Sequence, residues 1–417
     1  MFDIAVTCLV LTALLAYLNK RFVGLPTTIG VMAIALVLSI ALMGLDHLGL
    51  SGWRDAEVAL LSSIDFSDVL MQGMLSLLLF AGALHVDLCK LREYRWQVGG
   101  LAVLGTVAST LIVGLALRGL LSALGMDVPW TYCFLFGALI SPTDPIAVMG
   151  ILKTAGAPKS LEVVISGESL FNDGVGVVMF ALLLESLTFQ HTPSVGDALI
   201  LLAREAGGGI VFGAILGYVT YRLLKSIDSY QEEVLLTLAA VLGGYALATR
   251  LHVSGPLAMV VAGLIVGDHG RANAMSDTTR DHVDMFWELI DAILNSVLFV
   301  LLGMEVIVVA FPAHGFLAAA GTIAIALAAR LLTVAAPVVL LKGLFRLPRG
   351  SWQVLTWGGL RGGISVALAL ALPVGEERTL LLFLTYAVVV FSILVQGLTI
   401  RTVAQRSAEC RNDPDTE

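Results

Sequence analysis

Charge is scarce in this 417-residue chain: 13% of its residues are charged, against about 25% in a soluble domain. That shortage excludes an ordinary water-soluble fold. Cysteine is scarce too. Cys8, Cys89, Cys133 and Cys410 show no metal-ligand spacing. A disulfide framework does not suit two cysteines in apolar runs and two beside basic loops. Histidine and lysine are missing from the middles of the apolar runs. Ser169 stands beside Glu168, but no base lies at that depth to activate it. His/Glu metal spacing is also missing. These absences exclude an intramembrane enzyme and leave no cofactor to expect. The formal net charge of -8 says little about partners, and no nucleic-acid partner is expected. The start of the chain has no signal-peptide cleavage pattern, so the first helix is expected to stay. After Arg401 we expect only a short polar tail, without a soluble nucleotide-binding or regulatory domain.

What fills the chain is hydrophobic sequence, 58% of residues. A bilayer core about 30 Å thick needs ~20 apolar residues per helix. The runs are too long for barrel strands of about 10 residues. We therefore expect an all-α polytopic membrane protein. Thirteen spans are expected, at 4–19, 24–44, 69–88, 97–123, 131–152, 161–187, 198–222, 233–250, 255–267, 286–310, 316–341, 352–372 and 379–400. Lys and Arg fall 17 times on one set of loops and 5 times on the other, with Arg330 and Arg361 inside spans. By the positive-inside rule the N-terminus is outside and the C-terminus cytoplasmic.

Pro26 and Pro256 begin the second and ninth spans. The third to sixth spans and the tenth to thirteenth begin at matching intervals, each pair offset by roughly 220 residues. A shift of seven spans reverses direction, so the repeats are inverted. We divide the chain into a first repeat (1–187), a linking helix (188–232), a second repeat (233–400) and a short cytoplasmic tail (401–417). "SPTDP" (141–145) breaks the fifth span and "GGLRGG" (358–363) breaks its counterpart, the twelfth. Gly and Pro are common in membrane helices, but both breaks also carry charge. Paired broken helices in inverted repeats point to a transporter with its site at the bilayer midplane.

Ionisable groups at mid-span cost about 2.5–3.5 kcal/mol each on insertion scales and mark function. In "GESLFNDG" (167–174), Glu168 and Asn172 share one helical face, and Ser169 and Asp173 share the next. Thr143 and Asp144 lie between Pro142 and Pro145, where freed carbonyls and a hydroxyl can face an ion. Arg361 needs a carboxylate partner, for which we choose Glu168. Arg330 needs a partner that the sequence does not name. Along the tenth span run Glu288, Asp291, Asn295, Leu298, Leu302 and Glu305. The first three are candidates for a cation-attracting cytoplasmic funnel, and Glu305, near the outer end, for a cap. The seven histidines lie mostly at loops or span ends, as surface histidines do.

"GALISPTDPIAV" (137–148), "GESLFNDGVGVV" (167–178) and "WGGLRGGISVALAL" (357–370), in that order, resemble the monovalent cation/proton antiporter family. That family takes in NhaP-type bacterial exchangers and animal sodium/hydrogen exchangers. "FWELIDAILNSVLFVLLGMEV" (286–306) is similar to its tenth helix. The resemblance implies thirteen helices in two inverted six-helix repeats, usually as a homodimer in the cell (inner) membrane. It implies that Asp173 binds the ion and the proton, with Na+ also held at Ser169 and Thr143. It implies a Glu168–Arg361 pair, and Asn172 where electrogenic relatives have Asp. One departure stands out: Ala81, in "LLLFAGAL" (77–84), occupies a position that is often acidic. Asp87 lies six residues later and does not replace it.

A buried Asp173 is neutralised by either a proton or a cation, and competition for one carboxylate gives exchange. With Asn172 neutral and Glu168 held, one charge changes partner per cycle, so we expect electroneutral 1:1 exchange of Na+ (or Li+) for H+. Potassium/proton exchange is the nearest alternative. A cation channel is more remote, because no carbonyl-ring filter or symmetric ring of acids is present.

Overall fold

Bilayer hydrocarbon offers no partner to a backbone N–H or C=O, so a chain this apolar satisfies its backbone within helices. The structure, a computed structural model, describes residues 2–47, 73–154, 158–188, 196, 200, 203–270, 275–306, 315–340, 342–345, 347, 348 and 350–412. Among these residues every regular element is helical. In chain order the main helices are α1 (Phe2–Leu18), α2 (Thr27–His47), α3 (Leu75–Leu84), α4 (Thr106–Ala123), α5 (Trp130–Ile140), α6 (Ile146–Thr154), α7 (Lys159–Thr188) and α8 (Gly208–Leu224). There follow α9 (Tyr230–Arg250), α10 (Gly255–Ile265), α11 (Asp277–Glu305), α12 (Gly315–Arg330), α13 (Ser351–Trp357), α14 (Gly363–Leu370), α15 (Glu376–Phe391) and α16 (Gly397–Asn412).

Among the described residues nine helical stretches are long and apolar enough to cross a membrane, by length and composition. The apolar helices α3, α5 and the stretch Gly255–Asp268 are shorter. The molecule is thus all-helical and polytopic. The starts expected at 69 and 198, and the ends expected at 310 and 341, lie outside the described residues. The tail expected from 401 opens as a helical continuation of α16 to Asn412.

Small residues let these helices approach closely. Gly209, Gly213 and Gly217 recur every fourth residue on α8 and lie against α10. A Cβ at Gly213 would sit 2.4 Å from the Ala258 carbonyl oxygen. Without a hydrophobic driving force between helices in lipid, such small-residue faces supply the close packing that holds them. Ser254 caps α10 by accepting the Leu257 N–H, with Pro256 in its first turn.

Both expected interruptions are present, and they meet. α5 ends before Pro142 and α6 starts after Pro145; α13 ends at Trp357 and α14 starts at Gly363. The two breaks touch directly: the Asp144 N–H donates to the Leu360 carbonyl at 2.8 Å. Gly362 permits this approach, since a Cβ there would lie 2.5 Å from Asp144 Oδ2. The unbroken α7 packs against α5, α6, α13 and α14, so its polar stretch faces both breaks.

Candidate functional site

Each break leaves helix-end carbonyls without intrahelical partners. At the first, the Arg361 guanidinium donates to the carbonyls of Ser141 and Pro142, the latter at 2.9 Å. Its backbone N–H donates to Ser392 Oγ at 2.9 Å. At the second, Arg330 donates to the Leu355 carbonyl at 3.1 Å. Arg330 also makes a two-pronged pair with Glu168: Nη1 to Oε1, and Nη2 to Oε2 at 3.0 Å.

The expected Glu168–Arg361 pair is therefore corrected: Glu168 pairs with Arg330. The reason lies in the break itself. Pro142 and Pro145 cannot continue the helix, so α5 ends with a cluster of partly negative carbonyl oxygens. A cation at a helix C-terminus is favoured by the helix dipole as well as by those acceptors. Arg361 is satisfied there, and the carboxylate is left for Arg330. Glu168 is 1% exposed.

Asn172, on the same helical face as Glu168, turns to the first break. Its Nδ2 donates to Thr143 Oγ1 at 2.8 Å, and its Oδ1 accepts the Thr143 N–H at 3.3 Å. Ser169 Oγ lies 2.9 Å from the same Thr143 oxygen. Ser169, Asn172 and Thr143 thus form one hydrogen-bonded clamp between α7 and the first break.

Beside this clamp is a cavity of about 310 Å³. Asp173, Asp144, Thr143, Asp291, Glu288 and Asn295 line it, together with His85, Ala81 and Ser365. Ser169 and Asn172 are not among the lining residues; they support it through Thr143. The cavity grades from an exposed rim to a buried floor. Glu288 is 70% exposed in its side chain, whereas Asp173 is 7% exposed. Asp173 Oδ1 has no hydrogen-bond partner among the described residues. Asp144 is partly committed: its Oδ1 accepts the Ile146 N–H at 2.9 Å and caps α6.

The funnel residues share this cavity, but they differ in what they offer. Asn295 turns its amide back to Asp291, with Nδ2 2.8 Å from the carbonyl oxygen and 3.0 Å from Oδ1. Leu298 lines the cavity, and Leu302 and Glu305 are not among its lining residues. His85 was not singled out in sequence. Its Nε2 lies 3.9 Å from Glu288 Oε1 at the rim, and its Nδ1 is 2.8 Å from the Ala81 carbonyl. Ser365 was missed as well. Its hydroxyl is buried, without a hydrogen-bond partner among the described residues, and it lines the cavity from the first turn of α14. A polar residue just past the "GGLRGG" break was the available signal.

Ala81 lines the cavity where an acid was looked for. Asp87 is elsewhere in role. It caps the short helix Leu88–Glu93 and pairs with Lys90 Nζ at 3.1 Å. The Lys90 backbone N–H, with its side chain, holds the Asp87 carboxyl below the usual range.

Known proteins match nearly the whole chain. The family model for the transmembrane part of the sodium/hydrogen exchangers matches residues 10–406. The Na(+)/H(+) antiporter NhaP of Pseudomonas aeruginosa is 53% identical over 411 residues, 97% of this chain and 97% of that one. The Na(+)/H(+) antiporter NhaH of Halobacillus aidingensis is 35% identical over 90% of this chain and 91% of its own. Among solved structures, the sodium proton antiporter MjNhaP1 of Methanocaldococcus jannaschii at pH 8 superposes with a TM-score of 0.76. That superposition covers 96% of this chain and 97% of that one, at 19% identity, and it shows the shared fold.

Proposed function

The chain belongs to the sodium/hydrogen exchanger family, and from that premise we propose that it exchanges Na+ for H+ by alternating access, with Asp173 as the carboxylate both ions share. One observation carries the assignment to Asp173. The two arginines buried beside the breaks are committed, Arg330 to Glu168 and Arg361 to carbonyls. Among the described residues no cationic side chain pairs with Asp173, although it lies buried on the cavity floor. An unpaired carboxylate in so apolar a setting is costly. A proton or a cation from the cavity relieves that cost, and each excludes the other.

Around Asp173, Thr143 supplies a hydroxyl that Ser169 and Asn172 hold in place. Asp144 adds charge beside it. Glu288 and Asp291 attract cations toward the mouth. Only one carboxylate then changes partner, because Glu168 is neutralised by Arg330 and Asn172 is uncharged. The exchange is one Na+ for one H+, without net charge movement.

The same reading places thirteen spans in two inverted repeats, 1–187 and 233–400, joined through 188–232. The offset of the two breaks supports it. The bias of Lys and Arg supports a cytoplasmic C-terminus, with the cavity mouth on that side. The unit is a homodimer in the cell membrane, as the family resemblance implies.

Asp173→Asn tests the assignment. Sodium-dependent proton flux in proteoliposomes is expected to fall to background, with the detergent-solubilised protein still folded. Flux that persists in Asp173→Asn removes Asp173 from the site.

A further inference from the structure

A second recess lies on the outer surface of the bundle and shares no lining residue with the Asp173 cavity. It is a groove of about 590 Å³ between α12, α13 and α16, and Leu327, Leu331, Thr356, Trp352, Trp357 and Arg406 line it. Its position in depth follows from two contacts. A Cβ at Gly350 would meet Ser407 Oγ, so the start of α13 lies beside position 407. The Trp357 indole N–H donates to Thr399 Oγ1 at 2.8 Å, so the end of α13 lies beside position 399. α13 and α16 therefore run antiparallel. Arg406 sits level with the start of α13, and Thr356 lies roughly 7 Å deeper at 1.5 Å per residue.

The groove is graded along that axis. A guanidinium and an indole stand at its basic end. A hydroxyl lies at middle depth: Thr356 Oγ1 is buried and has no hydrogen-bond partner among the described residues. Leu327 and the 43%-exposed Leu331 continue the wall with apolar surface. Among the described residues no carboxylate lines the groove. Trp352, at the basic end, suits the membrane–water interface. A cation at the headgroup level, a hydroxyl donor below it and apolar walls alongside match an amphiphile with an anionic head, acceptor oxygens and a hydrocarbon chain, in that order.

We propose that this groove binds one anionic phospholipid, with its phosphate at Arg406, its acceptor oxygens at Thr356 and its acyl chain along Leu327 and Leu331. Basic recesses between membrane helices recognise acidic headgroups by this chemistry. The fluorophores needed to test it are already in the groove.

The full-length protein is reconstituted in phosphatidylcholine vesicles with a low, fixed fraction of dibrominated phosphatidylglycerol, or the same fraction of dibrominated phosphatidylcholine. The groove signal is the part of the tryptophan fluorescence removed by Trp352→Phe. Trp357→Phe, read separately, supplies it if the first variant does not fold. We expect phosphatidylglycerol to quench this part with about fivefold tighter association, as one arginine near a headgroup provides. Arg406→Gln is expected to bring the ratio to one. Equal quenching by both lipids overturns the proposal, because the groove then holds ordinary annular lipid. A preference that survives Arg406→Gln overturns it too. Absence of quenching by either lipid means that protein, such as a second copy of this chain, covers the groove, and the proposal fails.

Discussion

At the scale of single residues, the two buried arginines are not interchangeable. Arg330 neutralises a carboxylate, and Arg361 answers backbone dipoles. Removing one partner of a buried ion pair leaves the other charged and uncompensated, at about 3–5 kcal/mol. Glu168→Gln is therefore expected to lower thermal stability in detergent sharply, because Arg330 keeps only the Leu355 carbonyl. The double variant Glu168→Gln/Arg330→Met is expected to recover part of that loss, since no buried charge remains unpaired. If the double variant is as unstable as the sum of the two singles, the pair carries no coupling and its assignment is wrong. Cation-dependent flux is expected to persist wherever the variants fold.

At the scale of elements, the crossing of two broken helices is a solution to backbone accounting. Each break frees carbonyls that lipid cannot satisfy, and each is answered by an arginine from the second half of the chain. The breaks also answer one another through the Asp144–Leu360 hydrogen bond. Arg361→Met keeps much of the side chain's bulk and removes the donors. The Ser141 and Pro142 carbonyls would then be orphaned, at about 1–3 kcal/mol for each unsatisfied buried group. We expect faster amide hydrogen exchange at the end of α5 and in α6, with α8 and α10 unchanged. Uniform change across the bundle, or none, contradicts this role for Arg361.

At the scale of the whole molecule, the charge account decides the transport stoichiometry. Among the described residues the titratable groups lining the cavity are Asp173, Asp144, Asp291, Glu288 and His85. Glu288 and His85 lie at the exposed rim, Asp291 is bonded to Asn295, and Asp144 caps α6. Among the described titratable residues that line the cavity, Asp173 alone is buried without a partner, which supports the proposed exchange of one charge per cycle. Sodium-dependent proton flux in proteoliposomes is expected to be the same with and without a valinomycin-clamped potassium diffusion potential. Steady acceleration by an imposed potential requires a second moving charge, and Asp144 is then the first residue to test.

Much of this molecule was legible in its sequence. The shortage of charge and the length of the apolar runs determined a helical membrane bundle, because lipid leaves the backbone no other arrangement. Pro142, Pro145 and the glycines of 358–363 marked both breaks, since these residues interrupt a helix wherever they stand. The spacing of Glu168, Ser169, Asn172 and Asp173 located the polar face of α7. Partner choice was not legible. Arg330 and Arg361 are both lone cations in apolar runs, and the pattern of the chain is the same whichever one meets Glu168. Only the packing of α7 between the two breaks decided that Arg361 lies beside freed carbonyls and Arg330 beside the acid. The same holds for Asn172 and Ser169. Helical spacing set the direction in which they point, but what they meet there, the Thr143 backbone and hydroxyl, depends on where another helix was broken and brought alongside.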